Sequence, residues 1–199
     1  MELSLASIAD VAEALVEAEG LDSVTGSRIA AELGASQPAI YRHLDTVDDV
    51  WRELGLRGRA SLRRHLAEAA IGRSGQEAVV AMAHAWRDWA LAHPGLYQAT
   101  DRYPCAGDPE LEAAVEAVVS TIAMSLRGFH LDEVSVVDAA RTMRSFLHGF
   151  VHLELGDGHP HKHDNDASFA RAVQLLAGAL PRLAQLPHSP DEALTGDGR

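Results

Sequence analysis

Gln37, Tyr41, Arg42 and His43 are four side chains that can meet nucleic acid, and they stand within seven positions of one another. A glutamine amide offers donor and acceptor together and can read adenine or another base edge, while tyrosine, arginine and histidine can hold phosphate oxygens. Other chemistry has thinner support. His148 and His152 are four apart, a spacing that can chelate zinc. His159, His161 and His163 form a second cluster near Asp157, Asp164 and Asp166, which reads better as a solvated loop than as a metal site. Cys105 is the single cysteine, so no intrachain disulfide can form and a thiolate-rich metal sensor is excluded. It could serve as a nucleophile with a histidine partner, yet no catalytic signature surrounds it. No Gly-rich phosphate cradle, His-Glu-x-x-His or Gly-x-Ser-x-Gly occurs. Neither an enzyme, a cofactor nor a metal is expected.

The elements that must position the first set read as helices throughout, an all-α fold of about nine. Ile8, Val11, Ala12, Leu15 and Val16 recur at helical spacing and predict a first helix over 5–19, closed by Gly20. Thr25 caps a second over 26–33, and Gly34 ends it. Ser36 is the expected cap of a third, with Gln37 and Pro38 in its first turn. Thr46 caps a long fourth helix over 47–71, broken by the Gly-Arg-Ser-Gly of 72–75. Further helices are predicted over 76–92, 95–100, 109–129, 132–155 and 167–185, the last with a kink at Pro181. Residues 187–199 read as a disordered tail. The start lacks the pattern of a signal peptide, and no apolar run reaches the ~20 residues of a membrane span, so the expectation is a cytoplasmic protein without a membrane partner.

Ala30, Gly34 and Ile40 explain how two short helices could cross steeply. The contact needs a small side chain, the turn a left-handed residue, and the second helix an apolar anchor facing Ile29 and Leu33. This pattern fits a plain helical hairpin equally well, and the exposed Gln37, Tyr41, Arg42 and His43 favour a DNA reader. Residues 27–54, "SRIAAELGASQPAIYRHLDTVDDVWREL", resemble the tetracycline-repressor-like (TetR) family of bacterial regulators. "WRDWALAHPGLYQAT" and "RSFLHGFVHLEL" are similar to segments of one subgroup of that family's ligand domains. The resemblance implies a helix-turn-helix DNA-binding domain at 1–46 and a helical ligand-binding and dimerisation domain at 47–186. It implies a homodimer on a palindromic double-stranded operator, and release of a repressor when a small-molecule effector shifts the fourth helix. Gln37, Ala39 and Tyr41 would face bases. Thr25, Tyr41 and His43 would face phosphates, Arg28 either, with Ser36 and Arg42 in the same surface.

Charge complicates this reading. The chain carries a formal net charge of −12. Residues 1–50 hold two basic side chains, Arg28 and Arg42, against ten acidic ones. Val47 stands where the family usually has lysine, and Leu44 where it has phenylalanine. Arg52, Arg57, Arg59, Arg63, Arg64 and Arg73 follow on the fourth helix. They either reach the DNA backbone, or merely solvate an exposed helix or pair with carboxylates of the core domain. A dimeric small-molecule binder with weakened DNA binding is therefore the alternative function.

In the larger half, Met82, Trp86, Trp89, Tyr97, Phe129 and Phe146 are expected around a largely apolar effector cavity, with Arg144 and His148 as polar anchors. An aromatic stripe at this spacing is also what a plain core produces. Val137, Ala140, Leu147 and Val151, with Phe169, Val173, Leu176 and Leu180, form apolar stripes that the resemblance assigns to a two-fold four-helix bundle.

Overall fold

The computed structural model describes residues 3–159, 161 and 163–186. The expected tail at 187–199 lies outside them. The described residues form nine α-helices and three short 3-10 turns, without a strand. The helices are α1 (Leu5–Glu19), α2 (Gly26–Glu32), α3 (Gln37–Ile40), α4 (Asp48–Ala70), α5 (Gly75–Ala92), α6 (Pro94–Ala99), α7 (Pro109–Leu126), α8 (Glu133–Leu155) and α9 (Asn165–Ala179). None is long and apolar enough to cross a membrane. The stretch expected as one helix over 167–185 is α through Ala179 and 3-10 over Leu180–Gln185, with Pro181 at the change. Proline removes a donor there, and the tighter turn accommodates the loss.

The chain divides into two compact units, one joining residues up to 64 with 88–118, the other joining 65–87 with those from 119 on. In the first, α1 begins with Ser4 and Ser7 capping each other's backbone. Its apolar stripe, Ile8, Ala12, Leu15 and Val16, is buried. One end of α1 is fixed to α6 by two contacts. The Glu17 carboxylate accepts the backbone N–H groups of Gly95 (3.1 Å) and Leu96 (3.0 Å) in the first turn of α6. Gly95 itself rides on the α1 backbone, where a β-carbon would stand 2.3 Å from the Val16 carbonyl oxygen. This explains the glycine in "HPGLY": the two backbones approach too closely for any side chain.

The second unit is organised around Arg87, whose side chain is 8% exposed. Its guanidinium grips Glu154 with two hydrogen bonds (2.7 and 2.6 Å) and reaches Asp166 at 2.6 Å. The ring of Phe169 lies 5.0 Å from the guanidinium carbon, and Phe146, Phe150 and His84 pack around that ring. The hydrogen bond from Arg87 holds the Glu154 carboxyl below the usual carboxylate range, against the opposing effect of its burial.

This packing corrects the expected dimer contacts. Ala140, Leu147 and Val151 of α8, with Phe169, Val173 and Leu180, are each no more than 4% exposed in the single subunit. They fill its own interior and cannot offer area to a partner. Leu176 is half-buried, and of the expected set only Val137 is widely exposed. The outward apolar residues of α8 and α9 are instead Val134, Val137, Leu153 and Leu175.

Replacing Gly95 with alanine should force α1 and α6 apart at the cost of overpacking, about 1–3 kcal/mol. In thermal unfolding this appears as a fall in Tm of roughly 2–4 °C per kcal/mol. An unchanged Tm would show that the close approach to Val16 does not constrain the fold.

Candidate nucleic-acid interface

The turn between α2 and α3 is built from the expected residues. Thr25 accepts the Arg28 backbone N–H at 3.2 Å, capping α2. Gly34 adopts φ 61°, and its N–H donates to the Ala31 carbonyl while that of Ala35 donates to Ala30. These paired bonds close the helix end in a Schellman arrangement, which needs a left-handed residue at that place. Ile29 and Ile40 are fully buried and Ala30 nearly so, so α3 is anchored by its last residue. That helix is a single turn. Ser36 precedes it without a side-chain capping bond, contrary to expectation, because Pro38 lies within the first turn and the serine side chain stays exposed.

With Ile40 turned inward, Ser36, Gln37, Tyr41, Arg42 and His43 are exposed and Ala39 is half-buried. Tyr41 is not free in space. Its ring lies across the start of α2, where a β-carbon on Gly26 would come 2.7 Å from the tyrosine oxygen. Thr25 is the neighbour of Gly26 and is exposed. The two hydroxyl residues expected to face phosphate are thus drawn to one place.

The cations are distributed differently from the sequence pattern. Arg28 bridges Glu19 at 2.7 Å and also contacts Glu32 one turn along α2. Arg52 binds Asp108 and reaches Glu110 at 2.7 Å. The Arg52 guanidinium, with the backbone N–H of Leu111, holds the Asp108 carboxyl down at about 2. Arg57 contacts Asp10 (2.7 Å), Glu13 (3.3 Å), Glu53 (2.9 Å) and the carbonyl of Ala6 (3.1 Å). Arg59 is buried and donates to the carbonyls of Gly55 and Thr100 and to the Cys105 sulfur at 3.0 Å. Within the head, Arg42 alone has no carboxylate within 4 Å among the described residues. Val47 is half-buried and supplies no charge.

The residues expected around an effector are mostly packed. Met82 and Trp86 are 1% exposed, and Trp86 meets the His148 ring edge-on at 5.0 Å. Phe146 stacks on Phe169, and Arg144 is half-buried. Phe129 lies over Gly75, roughly 16 Å along α5 from Trp86 at 1.5 Å per residue. In the first unit Trp89 donates its indole N–H to Ser61 at 3.1 Å and packs against Tyr97 and His93. His152 is exposed, apart from His148 in its surroundings. Among the described residues, no three histidine, cysteine or carboxylate side chains gather as a metal ion would require.

Residues 8–56 match the pattern of bacterial regulatory proteins of the tetR family, and residues 79–176 match a tetracyclin repressor-like C-terminal domain. The uncharacterized HTH-type transcriptional regulator Rv0681 of Mycobacterium tuberculosis is 36% identical over 182 residues, 91% of this chain and 83% of that one. This chain belongs to the tetR family. As a tetR-family protein it is a DNA-binding transcriptional regulator with a helical C-terminal ligand domain. The YobS regulator of Bacillus subtilis is 25% identical over 87% of this chain and 90% of its own. The regulatory protein SCO4313 superposes with a TM-score of 0.72 at 25% identity, covering 87% of this chain and 95% of that one. The Streptomyces coelicolor TetR family protein ActR, solved with (S)-DNPA, has the same fold at 17% identity and a TM-score of 0.64, over 90% of this chain and 98% of its own.

Sequence reasoning held pairing with carboxylates open for the α4 arginines but did not name the partners, and it missed the pairing of Arg28. The Arg28–Glu32 spacing of four was a readable signal. Glu53, four positions before Arg57, was readable in the same way, whereas the partners of Arg52, and Asp10 and Glu13 at Arg57, lie more than forty positions away, where no local pattern marks them.

The Gly26–Tyr41 contact gives a direct test. Gly26→Ala should displace the tyrosine ring, lower affinity for DNA from the promoter beside this regulator's gene, and leave Tm nearly unchanged, since the obstructed atom is a side-chain tip. Tyr41→Phe should weaken binding as well. Full affinity in both variants, by electrophoretic shift, would remove Tyr41 from the interface.

Proposed function

We propose that this regulator is a cytoplasmic, homodimeric repressor that leaves its operator when a small, mostly hydrophobic molecule enters the larger domain. Residues 1–46 act as the DNA-binding domain and 47–186 as the ligand-binding and dimerisation domain. The observation that carries this is the exposure of Gln37, Tyr41, Arg42 and His43 around a helix whose anchor, Ile40, is wholly buried. Each subunit presents that surface to one of two successive major grooves, about 34–36 Å apart. Gln37, Ala39 and Tyr41 face bases. Thr25, Tyr41, His43 and Arg42 face phosphates, with Ser36 at their edge. Arg28 positions the head through its carboxylates and takes no part in reading.

The effector is held mainly by apolar surface. Met82, Trp86 and Phe146, packed in this structure, supply it once they part to admit the molecule, with Phe129 further along α5 and with His148 and Arg144 as polar anchors. The larger half groups with regulators carrying the Trp-…-His-Pro-Gly-Leu-Tyr segment, present here from Trp86 to Tyr97. Among its structural relatives, ActR was solved with (S)-DNPA and a variant of TetR from Acinetobacter baumannii with minocycline. Both are organic small molecules, which supports an effector of that general kind. The pairing of Arg28 and the valine at position 47 favour one second reading, a dimeric binder of small molecules with weakened DNA affinity.

Titration of promoter DNA and scrambled DNA separates the two. The repressor reading expects specific binding to the promoter and negligible affinity for the scrambled duplex. Gln37→Ala should cost about 1–3 kcal/mol on the operator and relax base choice. Val47→Lys should tighten binding to both duplexes by adding a phosphate contact. Equal, weak binding to both duplexes by wild type would favour the second reading.

A further inference from the structure

We propose that this regulator carries a second small-molecule site, outside the interior of the larger domain, in the groove between α1, α4 and α6, and that the site takes a small organic monocarboxylate. The groove has a volume of about 340 Å³. Ligand pockets begin at about 300 Å³, so it accommodates a compact molecule. Along α4 it runs from Arg57 past Ala60 and Ser61 to Arg64, about 10 Å at the helical rise. His93 and Leu96 form the opposing wall, and Glu13 stands at the Arg57 end.

The two arginines differ in what they lack. Arg57 has its donors occupied by Asp10, Glu13, Glu53 and the Ala6 carbonyl. Arg64 contacts only the Ser61 hydroxyl, at 3.4 Å, and no carboxylate lies within 4 Å of it among the described residues. It also lies roughly 24 Å along α4 from Asp48, at 1.5 Å per residue, so its charge is remote from the start of that helix and the adjoining head. Opposite it, the His93 side chain is 44% exposed. Its Nδ1 is 4.0 Å from Glu17, its ring leans on Trp89, and its Nε2 has no hydrogen-bond partner among the described residues.

Both groups line the same groove, so a carboxylate bound there meets one or both of them. A guanidinium matches its two oxygens in a forked geometry, and the imidazole adds a third donor. The body of the ligand would then lie along Ala60 and Leu96. Glu13 at the far end disfavours a second negative group, which selects a monocarboxylate over a dicarboxylate. A molecule so placed touches α1, α4 and α6 together, the elements that fix the head within its unit.

The test needs no DNA, so it stands or fails apart from the operator reading. Benzoate is titrated into the full chain while tryptophan fluorescence is followed, because Trp89 touches both Ser61 and His93. A saturable change is expected. Arg64→Gln should weaken it by at least about tenfold, the loss of one charged hydrogen-bond partner. Arg63→Ala removes an exposed arginine that does not line the groove and should leave the affinity unchanged. Phthalate should bind more weakly than benzoate. Thermal melting of both variants checks that each is folded. The proposal is overturned if benzoate gives no saturable response, if Arg64→Gln binds as wild type does, if the two arginine variants weaken binding equally, or if phthalate or inorganic phosphate binds better than benzoate.

Discussion

The guanidinium of Arg57 joins α1 to α4, and much of the DNA-binding half rests on that junction. It is one side chain contacting carboxylates from two helices and a backbone carbonyl besides. Burial works against its charge, but the hydrogen bonds from it to Asp10, Glu53 and Glu13 more than offset this, and its proton is held more tightly than in a free arginine. The need for it follows from composition. A segment with ten carboxylates and two arginines cannot fold compactly around its own charges, so cations must come from outside the segment. Arg57 supplies one from α4. Arg52 performs the same service for Asp108 and Glu110, which keeps the loop before α7 against α4.

Arginine in a helix directly behind a DNA-reading head suggests phosphate contact. Here geometry assigns these arginines to the fold. Arg52 is held by partners far away in sequence, Arg57 by Asp10 and Glu13 as well as by Glu53 on its own helix, Arg59 is buried, and Arg28 is clasped between two glutamates. The exposed side chains around α3 include Ser36, Gln37, Tyr41, Arg42 and His43, a set with one arginine and no carboxylate. On the repressor reading, such a surface would depend on directional hydrogen bonds more than on counterion release. The Glu17 contacts to α6 extend the same arrangement. A carboxylate in the acidic segment is used to satisfy two backbone N–H groups, so part of the negative charge of α1 is employed structurally.

The helices and the turn were legible in the sequence because their causes are local. Gly34 takes the left-handed backbone that its type permits, Thr25 caps the helix it precedes, and the bounds of α1 follow the spacing of its apolar residues. Exposure of the α3 set followed from Ile40 occupying the inward position. The dimer-facing residues were misread for a physical reason. An apolar stripe records that a face is buried, not what buries it, and on α8 and α9 the subunit's own interior takes Leu147, Val151, Phe169 and Val173. The long-range ion pairs were illegible because they join residues such as Arg57 and Asp10 across 47 positions, unlike the pairs four apart on one helix. The buried Arg87 between two tryptophan positions gave a hint, an ionisable group within an apolar run that must find a carboxylate, but not which one.

The central claim is that this regulator's arginines near the head belong to the fold, with Arg42 the exception. The most direct measurement is the dependence of operator affinity on salt for wild type, Arg42→Gln, Arg52→Gln and Arg57→Gln, with unfolding followed alongside. Each phosphate contact contributes about −0.9 to the slope of log affinity against log salt. Arg42→Gln should make the slope shallower by about that amount for each subunit and leave stability alone. Arg52→Gln and Arg57→Gln should lower stability and leave the slope unchanged. A shallower slope in either of those two variants, with stability intact, would contradict the account and place the α4 arginines on the DNA backbone.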